Sequence, residues 1–527
     1  MSAGVPRSGA PIILGVDVGG TNTDAVLMQG REVIASVKRA TTFDVGEGMF
    51  AAVEAVLQAA GLPPQSIAST MIGTTQFINA FVQRRGLARV AAVRVSAPMG
   101  DGVPPFAAWP QDLIDVVGEQ GYFVQGGAFF DGRIYAQLDP TELERVAEDI
   151  RRKGIRSIAV SACFAPVRPE IERDAAQMIR TAYPDADITL SSEVGGLGLV
   201  DRENAAIMNA SLRPMARDVI AALVGSLQRA GASSPVHFSQ NDGTLVSAEY
   251  ASRFPVVTCS AGPTNSLRGA AYLTGLEDAL VLDIGGTTTD LGFLVRGFPR
   301  TSLLPRNIGG VRTNFHMPDI LSIAVGGGTL VRETPAGLTL GPGSVGFELP
   351  KRALVFGGSE LTATDIAVSA GQAHIGDPLK VRDLRPTLVD GALDLIHSRI
   401  EDAIDQMKTN NKPVPLILVG GGGILLGRPL RGTLETHRPK FAEVANAVGA
   451  AIAMTSGKVD RLFDYSCGRD AALTQAKNEA IKVAEDAGAD PATIKVVEVQ
   501  ELPMAHMRTN LVRVRVRAVG ELTGIGS

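Results

Sequence analysis

Aromatic side chains are scarce in this chain, with one Trp and six Tyr among 527 residues. So few rings give no stacking platform for nucleic-acid bases. Net charge is −5 at pH 7, so the electrostatic footprint of a nucleic-acid binder is missing as well. Cysteine is rarer still: Cys163, Cys259 and Cys467 lie far apart and form no C-x-x-C pair. That excludes a disulfide framework and suits reduced thiols in a cytoplasmic protein, each one a small core residue rather than a nucleophile. Long apolar runs are missing too. Residues 1–11 contain no stretch of secretory length, and Ile12–Val18 and Ala279–Ile284 are short and run into Asp and Gly. They read as strands, not membrane spans. The six histidines show no H-x-x-x-H spacing, and only His316, near Asp319 and glycines 326–328, stays open as a metal contact. What remains, at 45% hydrophobic and 20% charged, describes a globular chain long enough for two or three domains.

Glycine is plentiful at 59 residues, and its placement repeats. Residues 12–28 read IILGVDVGGTNTDAVLM and residues 279–294 read ALVLDIGGTTTDLGFL. Both carry D-x-G-G-T-x-T-D between apolar stretches: a strand runs into Asp, bends at Gly-Gly, and resumes after Thr and Asp. This predicts a β-hairpin with a polar, glycine-rich bend in each half of the chain. One copy alone could be a plain hairpin turn, and two unrelated tight turns are the alternative to a shared origin. A match at every fixed position points to internal duplication.

These residue types suit anion binding. Gly19, Gly20, Gly285 and Gly286 let backbone N–H groups approach a phosphate with no Cβ in the way. The hydroxyls of Thr21, Thr23, Thr287 and Thr289 add donors. Aspartates repel phosphate, so Asp17, Asp24, Asp283 and Asp290 make sense beside it only with a bridging hydrated Mg²⁺. The pair of hairpins therefore implies ATP or a similar triphosphate with its metal, which Asp17 and Asp283 would organise. Asp24 and Asp290 would position the nucleophile or a metal-bound water, although Asp24 equally suits a structural role accepting N–H bonds in its turn. Two further glycine runs follow strands: IAVGGGT at 323–329 and PLILVGGGG at 415–423. The second lies near the end of the second half, so Gly420, Gly421, Gly422 and Gly423 are read as a bed for the nucleoside, with plain close packing the alternative.

Two such hairpins followed by a distal V-G-G-G-G turn resemble the phosphate and adenosine elements of the actin, Hsp70 and sugar-kinase superfamily. Within it the chain is similar to the hydantoinase A / 5-oxoprolinase family. Further stretches carry that resemblance: TTQFINAFVQRRG at 74–86, Ser191-Ser192-Glu193-Val194, residues 241–243, Ser260–Pro263, Thr362-Ala363-Thr364-Asp365, and VANAVGAA at 444–451. Two departures stand out. Many members have a His two residues after the Asp before the second glycine turn, and here Asp319 is followed by Leu321, which puts a metal site relying on that His in doubt. Ser260-Ala261-Gly262-Pro263 also has an Ala more than the usual S-G-P order.

The resemblance implies an α/β fold of duplicated actin-like (ribonuclease H-like) halves around an ATP cleft, at 1–200 and 201–460, with a small C-terminal α+β module at 461–527. In that module 471–487 has helical spacing, and 494–499 and 511–516 alternate as strands. A charged amphipathic helix over 141–153 leads into a strand at 157–162, and a helix starting at 203 crosses between the halves. Residues 96–128, rich in Gly and Pro and holding Trp109, read as an irregular excursion: a lid, a partner surface or a plain surface loop. The implied activity is ATP-dependent phosphorylation of a cyclic amide or related carbonyl oxygen, consumed by a separate hydantoinase B-like or other hydrolytic subunit within an oligomer. A self-contained small-molecule kinase and an ATP-gated activator are the alternatives.

Overall fold

The computed structural model describes residues 9–20, 22–41, 44–302, 305–335, 337–503 and 510–523. The chain opens with a meander in which β1 (Ile12–Val18), β2 (Asn22–Gln29) and β3 (Glu32–Ala40) pair antiparallel in turn. Helix α1 (Val45–Ala60) is started by Asp44, whose carboxylate accepts from the Gly46 and Glu47 N–H groups, and stopped by Gly61 at φ 66°. It returns the chain to β4 (Ile67–Thr74), parallel to β1. An insertion then builds a second, all-parallel sheet from β5 (Val90–Ala97), β6 (Gln120–Gln125), β7 (Ser157–Ala162) and β8 (Asp187–Leu190), ordered β8-β7-β5-β6.

Helix α2 (Leu199–Arg229) leads back to the first sheet, where β9 (Val236–Ser239) lies parallel to β4 and β10 (Thr244–Ser247) turns back beside it. The first half of α2 is buried all round, and it carries one partner of an ion pair sealed from water. Glu203 accepts from Arg94 Nε at 2.8 Å and from Ser161 Oγ at 2.6 Å, with both charged residues 1% exposed. Bidentate geometry plus the extra hydroxyl satisfies the carboxylate, the condition under which a buried pair is tolerated. Residues 96–128 are not a free excursion. Trp109 is buried edge-on against Phe81 and Phe106, and its Nε1 donates to Asn204 Oδ1 on α2 at 2.8 Å.

Helix α3 (Ala261–Thr274) precedes the second unit, which repeats the first. Strands β11 (Ala279–Ile284), β12 (Thr289–Val295) and β13 (Phe298–Pro299) form its meander, and β14 (Ile320–Ile323) adds to β12. Helix α4 (Pro386–Met407) brings in β15 (Val414–Val419), parallel to β11, then β16 (Thr433–His437) and α5 (Ala445–Ala451). The strand orders β3-β2-β1-β4-β9 and β13-β12-β11-β15-β16 are the same path, a meander on one side and two parallel strands on the other. This is the duplicated actin-like α/β fold.

The expected boundary at residue 200 falls within the first unit, because strands at 236–247 complete its sheet. The C-terminal segment consists of β17 (Met454–Asp464), α6 (Arg469–Asp486), β18 (Lys495–Pro503) and β19 (Leu511–Gly520). It makes no sheet of its own. Its strands continue the first sheet past β10, in the order β18-β19-β17-β10, to a total of nine.

The two units meet where α3 crosses α5. A Cβ on Gly269 would overlap the Ala445 carbonyl, and one on Gly449 would overlap the Asn265 carbonyl. Both crossing positions are therefore bare backbone, which lets the helices touch main chain to main chain.

Candidate functional site

The hairpin registers place the expected carboxylates opposite one another: Asp17 faces Asp24 across β1/β2, and Asp283 faces Asp290 across β11/β12. Each carboxylate lies close enough to another for the charges to interact, so the two hairpins bring all four together between the units. Burial pushes the Asp17 carboxyl up to about 7, with the Asp24 charge beside it adding to the rise. Burial likewise raises Asp24, against the opposing pull of Lys38, and raises Asp283; Asp290 reaches about 6 for the same reason.

What holds them is reciprocal. Asn446, on α5 of the second unit, donates to Asp17 Oδ2 of the first at 2.8 Å. Ser266, on α3 preceding the second unit, donates to Asp283 Oδ2. Ser266 stands three residues before Gly269 and Asn446 three before Gly449, so the two contacts are equivalents under the internal two-fold. Asp24 pairs with Lys38 at 2.7 Å across β2/β3, and Asp290 accepts from Ser322 on β14. Two carboxylate oxygens, Asp17 Oδ1 and Asp24 Oδ1, are buried with no hydrogen-bond partner. None of Lys38, Asn446, Ser266 or Ser322 was named from the sequence. The small-residue spacing N-x-x-x-G at 265–269 and A-x-x-x-G at 445–449 was the one available signal.

The glycines divide by role. The N–H groups of Gly19 and Gly285 close their own bends onto the carbonyls of Asn22 and Thr288, at 3.0 and 2.9 Å. Among the described residues, those of Gly20, Gly286 and Thr287 are left outside these bonds, and the Thr287 side chain is exposed. Thr21 lies outside the described residues. Thr23 is buried against the Thr41 hydroxyl at 3.3 Å, and Thr289 donates its O–H to the Val325 carbonyl at 2.7 Å. The two threonines thus brace the bends, and of the expected hydroxyl donors Thr287 is the one that stays exposed among the described residues. The bend of the second hairpin is also backed by glycines 326–328, with Gly327 and Gly328 donating to the carbonyls of Gly285 and Gly286 at 3.0 and 2.7 Å.

Gly420, at φ 83°, and Gly422 pack directly on β11: a Cβ on Gly420 would overlap Asp283 Oδ1, and one on Gly422 would come within 2.8 Å of the Gly285 carbonyl oxygen. Gly423 meets only the Leu418 side chain, and Gly421 has open space before it. Close packing beside Asp283 explains part of that run, and Gly421 is the position a ligand can approach.

No group of three or more His, Cys, Asp or Glu side chains placed to hold a metal occurs among the described residues. His316 faces Asp460 on β17 at 3.4 Å. Asp319 is neutralised by Arg300, at 2.6 Å, and Arg306, and Leu321 pairs with Leu291 in the β12/β14 ladder. Cys259 is buried, which pushes its thiol up, and Cys163 is half-buried. A cavity of about 500 Å³ bordered by Gln240, Asn241, His316 and Lys458 shares no residue with the hairpins. No described helix is long and apolar enough to cross a membrane.

Residues 13–183 match the sequence profile of the hydantoinase/oxoprolinase N-terminal region, and residues 202–377 match that of hydantoinase/oxoprolinase. Caprolactamase subunit alpha of Pseudomonas jessenii is 23% identical over 418 residues, 74% of this chain and 58% of that protein. The acetophenone carboxylase gamma subunit of Aromatoleum aromaticum is 26% identical over 394 residues, 68% of this chain and 52% of that protein. The chain thus spans little more than half the length of these curated relatives. Among solved structures, the ATP-dependent caprolactamase of Pseudomonas jessenii superposes with a TM-score of 0.75 at 18% identity, covering 98% of this chain and 88% of that one. Nucleotide-free acetone carboxylase gives 0.72 at 16% identity with the same coverage.

Proposed function

Because this chain belongs to the hydantoinase/oxoprolinase family, we propose that it is the ATP-using subunit of a hydrolase acting on cyclic amides. It transfers a phosphoryl group to the carbonyl oxygen of a cyclic amide or related compound, and a separate hydantoinase B-like or other hydrolytic subunit completes the reaction. The observation that carries this is the meeting of two equivalent hairpins on one set of four carboxylates, two of whose buried oxygens have no partner.

The residues fit ATP and Mg²⁺. Hydrated Mg²⁺ takes one or two carboxylates and fills its remaining positions with phosphate oxygens and water, so it needs no cage of three protein ligands. The free oxygens of Asp17 and Asp24 offer acceptors, the N–H groups of Gly286 and Thr287 offer donors, and Gly421 leaves room beside Asp283. When bound, ATP supplies the phosphoryl group and Mg²⁺ the positive charge that shields it.

The chain's own residues position and neutralise, which is most of what phosphoryl transfer requires. Asp17 and Asp283 organise the cation, directly or through water, and are kept in place by Asn446 and Ser266. Asp24, already paired with Lys38, orients what lies beside Asp17. Asp290, raised by burial to about 6 and partly exposed, is placed to position the nucleophile or a metal-bound water.

The test scans hydantoins, 5-oxoproline and lactams for ADP release by the purified chain with Mg²⁺-ATP, alone and with its genomic partner. Substrate-dependent release that Asp283→Asn loses is expected. ATP binding with no stimulation by any small molecule, even with the partner, rejects the amidohydrolase assignment in favour of an ATP-gated activator.

A further inference from the structure

Asn265 has no place in the roles assigned above. It lies on α3, is fully buried, and neither its amide nitrogen nor its amide oxygen has a hydrogen-bond partner. Asp17 Oδ1 is buried and unpartnered as well. A Cβ built on Gly73 would collide with both Asn265 Nδ2 and Asp17 Oδ1, so the two side chains converge over the bare backbone of one glycine without bonding to each other. Two idle polar atoms facing one point, on an amide whose oxygen is idle as well, form the wall of a site for a small oxygen ligand, since buried polar groups in native proteins are otherwise almost always paired.

The internal two-fold shows what the amide is not for. Four residues before the crossing glycine stands Asn265 in α3 and Ala445 in α5. Each contributes its carbonyl to the contact with the other helix's glycine. Ala445 does so with a methyl group, so the helix crossing has no use for an amide. The polar group lies beside the aspartate that keeps a buried, unpartnered oxygen.

We propose that Asn265 is a cation-positioning residue: with Asp17 Oδ1 it holds one water molecule of the hydrated divalent cation. Such a water has its lone pair committed to the metal and donates both hydrogens, one to Asp17 Oδ1 and one to the Asn265 amide oxygen. The amide can present either end to it, because a half-turn exchanges its oxygen and nitrogen. The inference rests on the nucleotide-and-cation assignment of the hairpins, and the test separates the two.

Mn²⁺ serves as the probe, titrated by electron paramagnetic resonance in the presence of a non-hydrolysable ATP analogue. Wild type is compared with Asn265→Leu, Asn265→Ala and Asn265→Asp, and each is melted without metal. Asn265→Leu and Asn265→Ala are expected to bind Mn²⁺ about tenfold or more weakly, as loss of a supporting contact around a metal does. Asn265→Leu should melt no lower than wild type, because an apolar group of the same shape replaces an unpaired amide. Asn265→Asp, which keeps an acceptor oxygen, should restore Mn²⁺ binding. Wild-type affinity in Asn265→Leu overturns the proposal, as does lost affinity in all three variants that tracks their melting temperature. If wild type itself binds no Mn²⁺ with the analogue, the assignment of the hairpins fails and takes the proposal with it.

Discussion

Replacing Gly269 with Ala should destabilise the protein, although Ala is the better helix former. A Cβ at this position would overlap the Ala445 carbonyl oxygen and stand 2.7 Å from the Ala445 carbonyl carbon and 3.1 Å from the Gly449 nitrogen. All three are backbone atoms of a second helix, so no side chain can swing aside. Relief requires α3 and α5 to separate by roughly an ångström, and overpacking of that kind costs about 1–3 kcal/mol. Gly→Ala in a helix interior returns only about 0.5–1 kcal/mol. The net is a loss of about 1 kcal/mol at the midpoints of these ranges and at most about 2.5 kcal/mol, or a fall in Tm of about 2–4 °C per kcal/mol for a unit of ~200 residues. Gly225→Ala is the internal control. It lies within α2 with nothing within 4 Å of the added methyl group, so the same chemical change should raise Tm slightly. Scanning calorimetry on both variants reads the two signs side by side. Nucleotide binding should weaken in Gly269→Ala alone, because the same displacement moves Ser266 away from Asp283 and Asn446 away from Asp17. If Gly269→Ala raises Tm as Gly225→Ala does, the units do not meet in backbone contact at this crossing.

Two further outcomes follow from the buried carboxylates. Asp17 is raised from 3.8 to about 7, so the folded chain holds its proton more tightly than the unfolded chain. Its contribution is full below the unfolded value and is lost as pH rises toward about 7, by up to ~1.4 kcal/mol per pH unit. Metal-free wild type should therefore lose stability relative to Asp17→Asn between about pH 4 and 7, and Mg²⁺ with nucleotide should cancel the loss; a rise over that range in thermal melts contradicts it. Lys38→Met removes the partner of a buried Asp24 carboxylate and a donor to the Glu443 carbonyl. With Lys38 about one-third exposed, the expected destabilisation is about 1–2 kcal/mol, and a melt unchanged at pH 7.5 would show that the pair contributes nothing.

The hairpins were legible because their signal is local. Alternating apolar strands and a glycine bend set the register, and Asp-to-Asp pairing follows from a fixed spacing on either side of the turn. The helix expected at 141–153 is found at Pro140–Arg152, where Asp139 caps it. The strand at 157–162 coincides with β7. What escaped the sequence depends on distant partners. Strand β17 joins β10 across some two hundred residues, so the C-terminal segment could be read as α+β but not placed on the first sheet. Trp109 announced an irregular region, yet its docking depends on Asn204 far along the chain. Asn446 lies in the stretch 444–451 that the sequence singled out and Ser266 beside a small-residue spacing, but neither role could be read locally because each serves the aspartate of the other unit. Gly420 looked like a ligand turn, and its bare Cα is already required by the approach of Asp283.

The most direct measurement follows the oxygen. A cyclic amide that stimulates ATP turnover, labelled with ¹⁸O at its carbonyl, is hydrolysed by the chain and its partner, and the released phosphate is analysed by mass. If the carbonyl oxygen is phosphorylated and then leaves as phosphate, one ¹⁸O appears in each phosphate released, and Asp283→Asn releases none. Unlabelled phosphate, with the ¹⁸O retained in the ring-opened product, would contradict an account in which the carbonyl oxygen is activated by phosphorylation and departs with the phosphate.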